Sequence, residues 1–368
     1  MSVAITQVLL LTRSAVHHRV HGSKSASNAL PIRTYNQLTA QWSKVKYRIP
    51  GKDATLYPPV LLTLESIESE KLEAGSKYYH PADTFLLAFT DAVECLSRVA
   101  TKVEHEMELQ FAGVRSLSAS GTVERMDGIR LDVFSMIFHW GNFIEACQTT
   151  IKTIFHDDKE KAAKAAKEFN RSTESYRGHV SKIINEIKHK HRRIRVFSAT
   201  WDLNIIIGFY VEGVVDINVI GPDPLVHKRH NLMSTGFSLN WEIQNHLVNM
   251  YHASGCLESA LRNFKPFATN TTIESGIASN SALNERLSKH LNDIAAIPAL
   301  YLPNEFVGSQ YSVVKKGENY LLSNGKDKKP LNNKPHPMNI SLSSRIGLFN
   351  LGIEMPYYLP QEITHSIL

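Results

Sequence analysis

Eight consecutive residues, Lys188 to Arg195, hold five Lys/Arg and two His. They close an apolar-periodic run in which Val180, Ile183, Ile184, Ile187, His191 and Ile194 line one face of a helix read from about Ser172 to Arg193. With Ile187 at the centre of the buried face, a step of 100° per residue puts Asn185, His189 and Arg192 at roughly 160°, 200° and 140°. Lys182 and Arg193 fall at about 220° and 240°. All five therefore face away from the core. Lys182, Asn185 and His189 follow one another at spacings of three and four, so neighbours in the row can touch. A neutral imidazole there can accept a proton from a ribose hydroxyl. The surrounding cations can hold a phosphate and stabilise developing negative charge. The same pattern also suits a solvated basic helix end that favours the helix dipole.

The cationic residues thus read as a nucleic-acid-binding set: Lys188, Lys190, His191, Arg192, Arg193 and Arg195. Lys228 and Arg229, in His227-Lys228-Arg229-His230 after the Pro222-Asp223-Pro224 turn, offer a second phosphate-contacting loop. His189, Lys182 and Asn185 are the candidate catalytic residues. No metal ligands are assigned. His105 lacks a second His at zincin spacing, His139 has no Cys or His beside it, and His156-Asp157-Asp158 reads as a helix stop. No cofactor is implied: the Gly-Lys-Ser/Thr phosphate loop and the Gly-x-Ser-x-Gly elbow are both missing from the sequence.

The elements that must position this face can be read from periodicity. A helix is expected over 82–111, where Phe85, Phe89, Ala92, Leu96, Val99 and Val103 recur at three- and four-residue steps. The longest apolar period spans 128–156, after a loop at 116–121. An Ala/Lys-rich stretch at 159–168 favours a short exposed helix. At Ile194 the pattern changes to β-branched and aromatic runs, over 194–199 and 204–215, which read as strands. Helices return over 241–263 and 282–295. Earlier in the chain, Gln41 to Ile49 can form a strand, and Val60 to Leu64 a second strand or a helix entry.

The chain accordingly divides into a basic N-terminal arm with short strands (1–75), a helical bundle (80–195), a mixed α/β region (196–297) and an irregular tail (298–368). The fold class is α+β. The stretch Ser323 to Pro337 is read as a loop.

The bundle ending in Asn185-Glu186-Ile187-Lys188-His189-Lys190-His191 resembles the HEPN superfamily over roughly residues 80–195. That resemblance implies a dimeric helical bundle. It also implies a metal-independent ribonuclease, or an RNA-binding relative, of toxin–antitoxin, phage-defence or CRISPR settings. The helix carrying Arg130, Asp132, Asn142 and Glu145 would be an earlier bundle member. The family motif is an Arg, four to six residues, then a His. Counting back from His189, that place holds Lys182, with six residues between, and Arg177 lies outside the range. The resemblance therefore favours binding over cleavage.

Charge and length set the remaining bounds. The 368 residues carry a net charge of +6, but residues 1–52 hold eight basic residues and no acid. The rest has 33 basic against 35 acidic residues, so the basic balance belongs to the arm. An arm of this kind suggests a nucleic-acid or acidic-surface contact, and it also has the composition of a targeting segment. No 18-residue apolar run occurs, which argues against a membrane span. Three isolated cysteines fit a reducing cytoplasm. The long apolar helix at 128–156 suggests a seam that a second copy would bury, giving a homodimer. The expected partner is RNA or DNA. The alternative is a non-catalytic interaction protein that dimerises and docks an acidic protein.

Overall fold

The computed structural model describes residues 45–50, 55–68, 79–111, 119–201, 204–230, 233–265, 280–305, 310–325, 343–346 and 349–357. Most of the N-terminal arm, including any targeting segment, lies outside these residues.

Among the described residues there are seven α-helices and two sheets. The helices are α1 (Val60–Glu65), α2 (Pro81–Phe111), α3 (Ala119–Ile154), α4 (Lys159–Ser172), α5 (Glu174–Lys190), α6 (Leu239–Phe264) and α7 (Ser281–Ala296). The α+β class expected from the change of period is what the chain adopts. The helix-to-strand switch falls at Ile194, the first residue of β2 (Ile194–Trp201). Residues 119–121 belong to α3, so the loop expected up to Gly121 ends earlier.

Local chemistry explains the helix ends. Asp158 accepts from the Lys161 N–H and starts α4. Ser238 accepts from the Trp241 N–H and starts α6. Asn280 accepts from two N–H groups of α7. Each satisfies donors that the first helical turn leaves unpaired. The last turn of α5 is closed differently: His191 takes the left-handed conformation at φ 53°. Arg192 then donates its N–H back to the Glu186 carbonyl. This wrap-around ending terminates the helix at Lys190. Arg192 and Arg193 consequently stand after the helix, not on its face as the apolar period suggested. His191 is exposed for the same reason.

α2 and α3 form an antiparallel hairpin, because Phe85 meets Phe143, Arg98 meets Asp132 and Glu106 meets Arg125. α5 runs antiparallel to α6 in the same sense, with Tyr176 against His246 and His179 against Glu242. α6 is the central helix. It meets α1 through Arg262 and Thr63, α2 through Tyr251 and Phe89, α3 through His246 and Trp140, and α4 through Asn263 and Glu168. One apolar core runs from Ile49 to Leu322. The packing therefore crosses the boundary drawn at 195, with α6 supplying the middle of the bundle.

β2 pairs with β3 (Asn204–Asp216) as an antiparallel hairpin, and β3 also pairs with β4 (Val219–Pro222) and β5 (Phe237–Ser238). Ile206 to Val211 of β3 are all buried, because both faces are covered. Ile207, Phe209 and Val211 point to the helical core, whereas Ile206 and Tyr210 join Phe197 and Leu302 on the other side.

The tail is not irregular throughout. β6 (Gln310–Lys316) and β7 (Asn319–Gly325) form a hairpin closed by Gly317 at φ 57° and Glu318. β1 (Val45–Ile49) adds to its other edge. Ser323 to Gly325 are thus strand, where the sequence suggested loop. β8 (Ser343–Ile346) and β9 (Phe349–Ile353) extend the second sheet, with β9 parallel to β4. The tail strands pair locally as two hairpins, and each hairpin also joins a strand far away in sequence, β1 or β4, which periodicity within the tail does not reveal. No helix among the described residues is long and apolar enough to cross a membrane.

Candidate functional site

The solvent face of α5 is laid out as the helical spacing predicts. Lys182, Asn185 and His189 are all exposed, and so is Lys188. Lys188 Nζ sits 5.2 Å above the centre of the Phe138 ring on α3. Arg193 and Lys228 are exposed as well.

Four of the expected nucleic-acid contacts pair with acids of the same chain. Lys190 pairs with Glu186 at 2.8 Å, and Arg195 with Glu212 at 2.6 Å. Arg229 pairs with Glu354 at 3.2 Å. Arg192 Nε lies 3.2 Å from Oδ2 of the buried Asp223. The angles at that last contact do not make a hydrogen bond, and both atoms are otherwise buried without a partner. It is a charge contact, which screens the Asp223 carboxylate without satisfying its lone pairs. The cationic run is therefore smaller than its composition suggests. The exposed remainder is Lys182, Lys188, His189, His191, Arg193 and Lys228.

One turn before Lys182 on α5, the chain builds a second constellation. His179 Nε2 lies 3.0 Å from Glu242 Oε1 and 3.3 Å from Oε2. His246 Nε2 lies 2.7 Å from Glu242 Oε2. The far nitrogen of His246, Nδ1, lies 2.9 Å from the Tyr176 hydroxyl. Glu242 and His246 are fully buried, while the His179 side chain keeps a quarter of its surface, 25%. The ring of His246 stacks on Trp140. Phe237 and Trp241 present edge-on to His179. Both imidazoles are thus held by packing as well as by hydrogen bonds.

Electrostatics follow from this enclosure. Burial opposes the charge of Glu242, but His179, through charge and hydrogen bond, and then His246 hold its carboxyl down to about 2. Burial likewise opposes imidazolium at His179; Glu242 outweighs it and raises the pKa, with Lys182 pulling the other way. At His246 burial wins, and its pKa falls to about 4. The cluster therefore holds an ionised buried carboxylate with a neutral imidazole on its closed side and a readily charged one on its open side.

His227 belongs to the same neighbourhood, since its ring packs against Phe237 at 4.6 Å. Its Nε2 accepts the Val211 N–H at 2.9 Å, and burial drives its pKa down to about 3. A phosphate-contacting role for this end of the 227–230 loop does not fit: His227 faces inward and serves β3.

The sequence alone assigns no metal ligands, and His179, Glu242 and His246 do not stand out in it as a group. Two signals were present. Glu242 and His246 are four apart, hence on one helix face. Around them, Asn240, Gln244 and Asn245 give α6 polar residues on faces that are all buried. A buried helix carrying that many polar groups must give them partners. No family model, curated protein or solved structure matches this chain.

Proposed function

We propose that this protein binds nucleic acid, RNA in particular, through the solvent face of α5, and that its bundle is a HEPN-like one acting in a microbial defence, toxin–antitoxin or mobile-element setting. The carrying observation is the exposed row Lys182, Asn185 and His189, flanked by Lys188 and Arg193, with no acidic side chain paired to any of them among the described residues. Cations left unpaired beside others that are neutralised are the ones free to contact phosphate. His189 on that row is placed to accept a proton from a bound ribose, with Lys182 standing where the family carries Arg.

A second copy of the chain belongs to this reading. Leu131 and Phe134 on α3 are 59% and 42% exposed, and Phe134 packs on Phe138, over which Lys188 lies. This apolar stripe adjoins the basic face. Pairing through it would set two α5 helices side by side, as a homodimer.

The test is a salt titration of RNA and DNA binding. Counterion release predicts a steep, linear fall of log affinity with log salt. An RNA-cleavage assay in chelator then separates a metal-independent nuclease from a binder. If neither nucleic acid binds at low salt, the reading fails. The basic face would then be left as a docking surface for an acidic protein.

A further inference from the structure

We propose that His179, Glu242 and His246 form a binding site for a divalent transition metal of the zinc class, with one coordination position open on the side of His179.

The three side chains bring one ligand atom each to within 4.8 Å of one another. Tetrahedral zinc with bonds of about 2.0–2.1 Å to nitrogen or oxygen keeps neighbouring ligand atoms about 3.3 Å apart. His179 Nε2 and Glu242 Oε2 are already 3.3 Å apart. His246 Nε2 and Glu242 Oε2, at 2.7 Å, need to separate by only a little over half an ångström. Glu242 Oε2 is the atom common to both contacts. A cation on these three atoms displaces the protons that now lie between nitrogen and carboxylate.

Three further observations support the assignment. No Lys or Arg pairs with the buried Glu242 among the described residues; the His179 imidazolium compensates its charge, and a bound metal would take over that role. His246 keeps its other nitrogen 2.9 Å from the Tyr176 hydroxyl. Once a metal takes Nε2, the proton moves to Nδ1 and is donated to that oxygen, the outer hydrogen bond that orients metal-bound imidazoles. The rings of His246 and His179 are fixed by Trp140, Phe237 and Trp241, so little order remains to be imposed on binding.

Two His and one Glu from two helices leave a four-coordinate ion one position short. Glu242 and His246 are closed to solvent, so that position opens where His179 is partly exposed. This site does not depend on the nucleic-acid reading, and either can fail alone.

The experiment uses the full chain, dialysed against chelator and titrated with Co²⁺ and, separately, Zn²⁺. Expected is one equivalent of Co²⁺ per chain, with the intense visible absorption of a four- or five-coordinate centre, displaced by Zn²⁺. His179→Ala and Glu242→Gln should abolish it. Tyr176→Phe should weaken it about 10- to 100-fold, because it removes only the outer hydrogen bond. Zinc should raise the thermal midpoint of the wild type and leave that of His179→Ala in place. His179 lies at the edge of the core, so its alanine variant tests binding in a folded chain, checked by circular dichroism. The chain has 17 histidines. Binding that persists unchanged in both ligand variants is surface binding and overturns the proposal. So does a wild type that takes up neither metal.

Discussion

Glu242 Oε2 stands 2.7 Å from His246 Nε2, one turn along the same helix, and neither side chain has exposed surface. A carboxylate and an imidazole with no access to water are fixed in their proton states by each other and by His179. Hydrophobic side chains of similar size would fill the same space without that desolvation cost. The polar cluster is thus a choice of chemistry at the centre of the bundle, and its titration should be visible in the stability of the whole chain.

The first prediction concerns acid. His227 and His246 have folded pKa values near 3 and 4, below the ordinary histidine value of 6.5. The unfolded chain therefore takes up protons first as pH falls. The stability these groups contribute is complete above 6.5 and is lost through the window down to about 4 for His246 and about 3 for His227. Each gives at most about 1.4 kcal/mol per pH unit. Glu242, held to about 2, adds a further loss below its ordinary 4.5. His179 has the opposite sign: its raised pKa favours folding below 6.5 and loses that contribution as pH rises through the raised value. The groups facing His227 are Glu242, His179 and Lys182. Denaturant midpoints of metal-free protein should fall steadily from pH 6.5 to 4, and His227→Gln should make the slope shallower. An equal slope in that variant would remove His227 from the account.

The second prediction separates two adjacent arginines. Arg192→Ala leaves the Asp223 carboxylate buried without a cation and should cost about 1–3 kcal/mol. Arg193 is exposed, and Arg193→Ala should stay within about 0.5 kcal/mol of wild type. Binding should rank them in the reverse order. Urea denaturation of both variants, with nucleic-acid titrations alongside, would expose a failure of this assignment.

The third prediction concerns the tail. Glu305 accepts from the Ser238 N–H, the Ser238 hydroxyl and the Leu302 N–H, each at 2.7 Å. It ties the segment after α7 to the residue that caps α6. Glu305→Ala leaves buried donors unsatisfied and should destabilise by about 3 kcal/mol or more. A thermal midpoint unchanged from wild type would show that the tail does not hold α6.

Much of this was legible before the structure. Strong periods place α2, α3, α5 and α6, because a helix that buries one face declares it every three or four residues. The exposure of Lys182, Asn185 and His189 follows from the same arithmetic. What composition does not encode is which cations face an acid from elsewhere in the chain. Glu212 and Glu354 reach Arg195 and Arg229 only through strand pairing. The buried cluster was hidden for a related reason. His179 and Glu242 are 63 residues apart, and the antiparallel packing of α5 on α6 alone brings them together. The hairpin β6–β7 is local in sequence, but its third strand, β1, lies more than 250 residues earlier.

The fourth prediction tests the assembly. Phe134→Glu places a charge on the exposed apolar stripe of α3 without touching the core. In a homodimer paired through that stripe, light scattering should show the variant dissociating to monomers while its circular dichroism is unchanged. A wild type that scatters as a monomer at micromolar concentration would sink the pairing.

The last prediction divides the cations by their partners. Lys182→Ala, Lys188→Ala and Arg193→Ala each remove a charge that no acid neutralises among the described residues. Each should weaken RNA binding and lower the salt slope by about one unit per lost phosphate contact. Lys190→Ala and Arg229→Ala break ion pairs with Glu186 and Glu354 instead, and should change the salt slope less. His189→Ala removes the proton acceptor but no obligatory charge, so binding should survive it. If wild-type protein cleaves RNA in chelator, His189→Ala should abolish that cleavage. Lys182 would then act in place of the arginine of the HEPN motif, and Lys182→Arg should retain activity. If the two classes of cation weaken binding equally, phosphate is not reading the pattern of free and paired charges, and the assignment of the α5 face is lost.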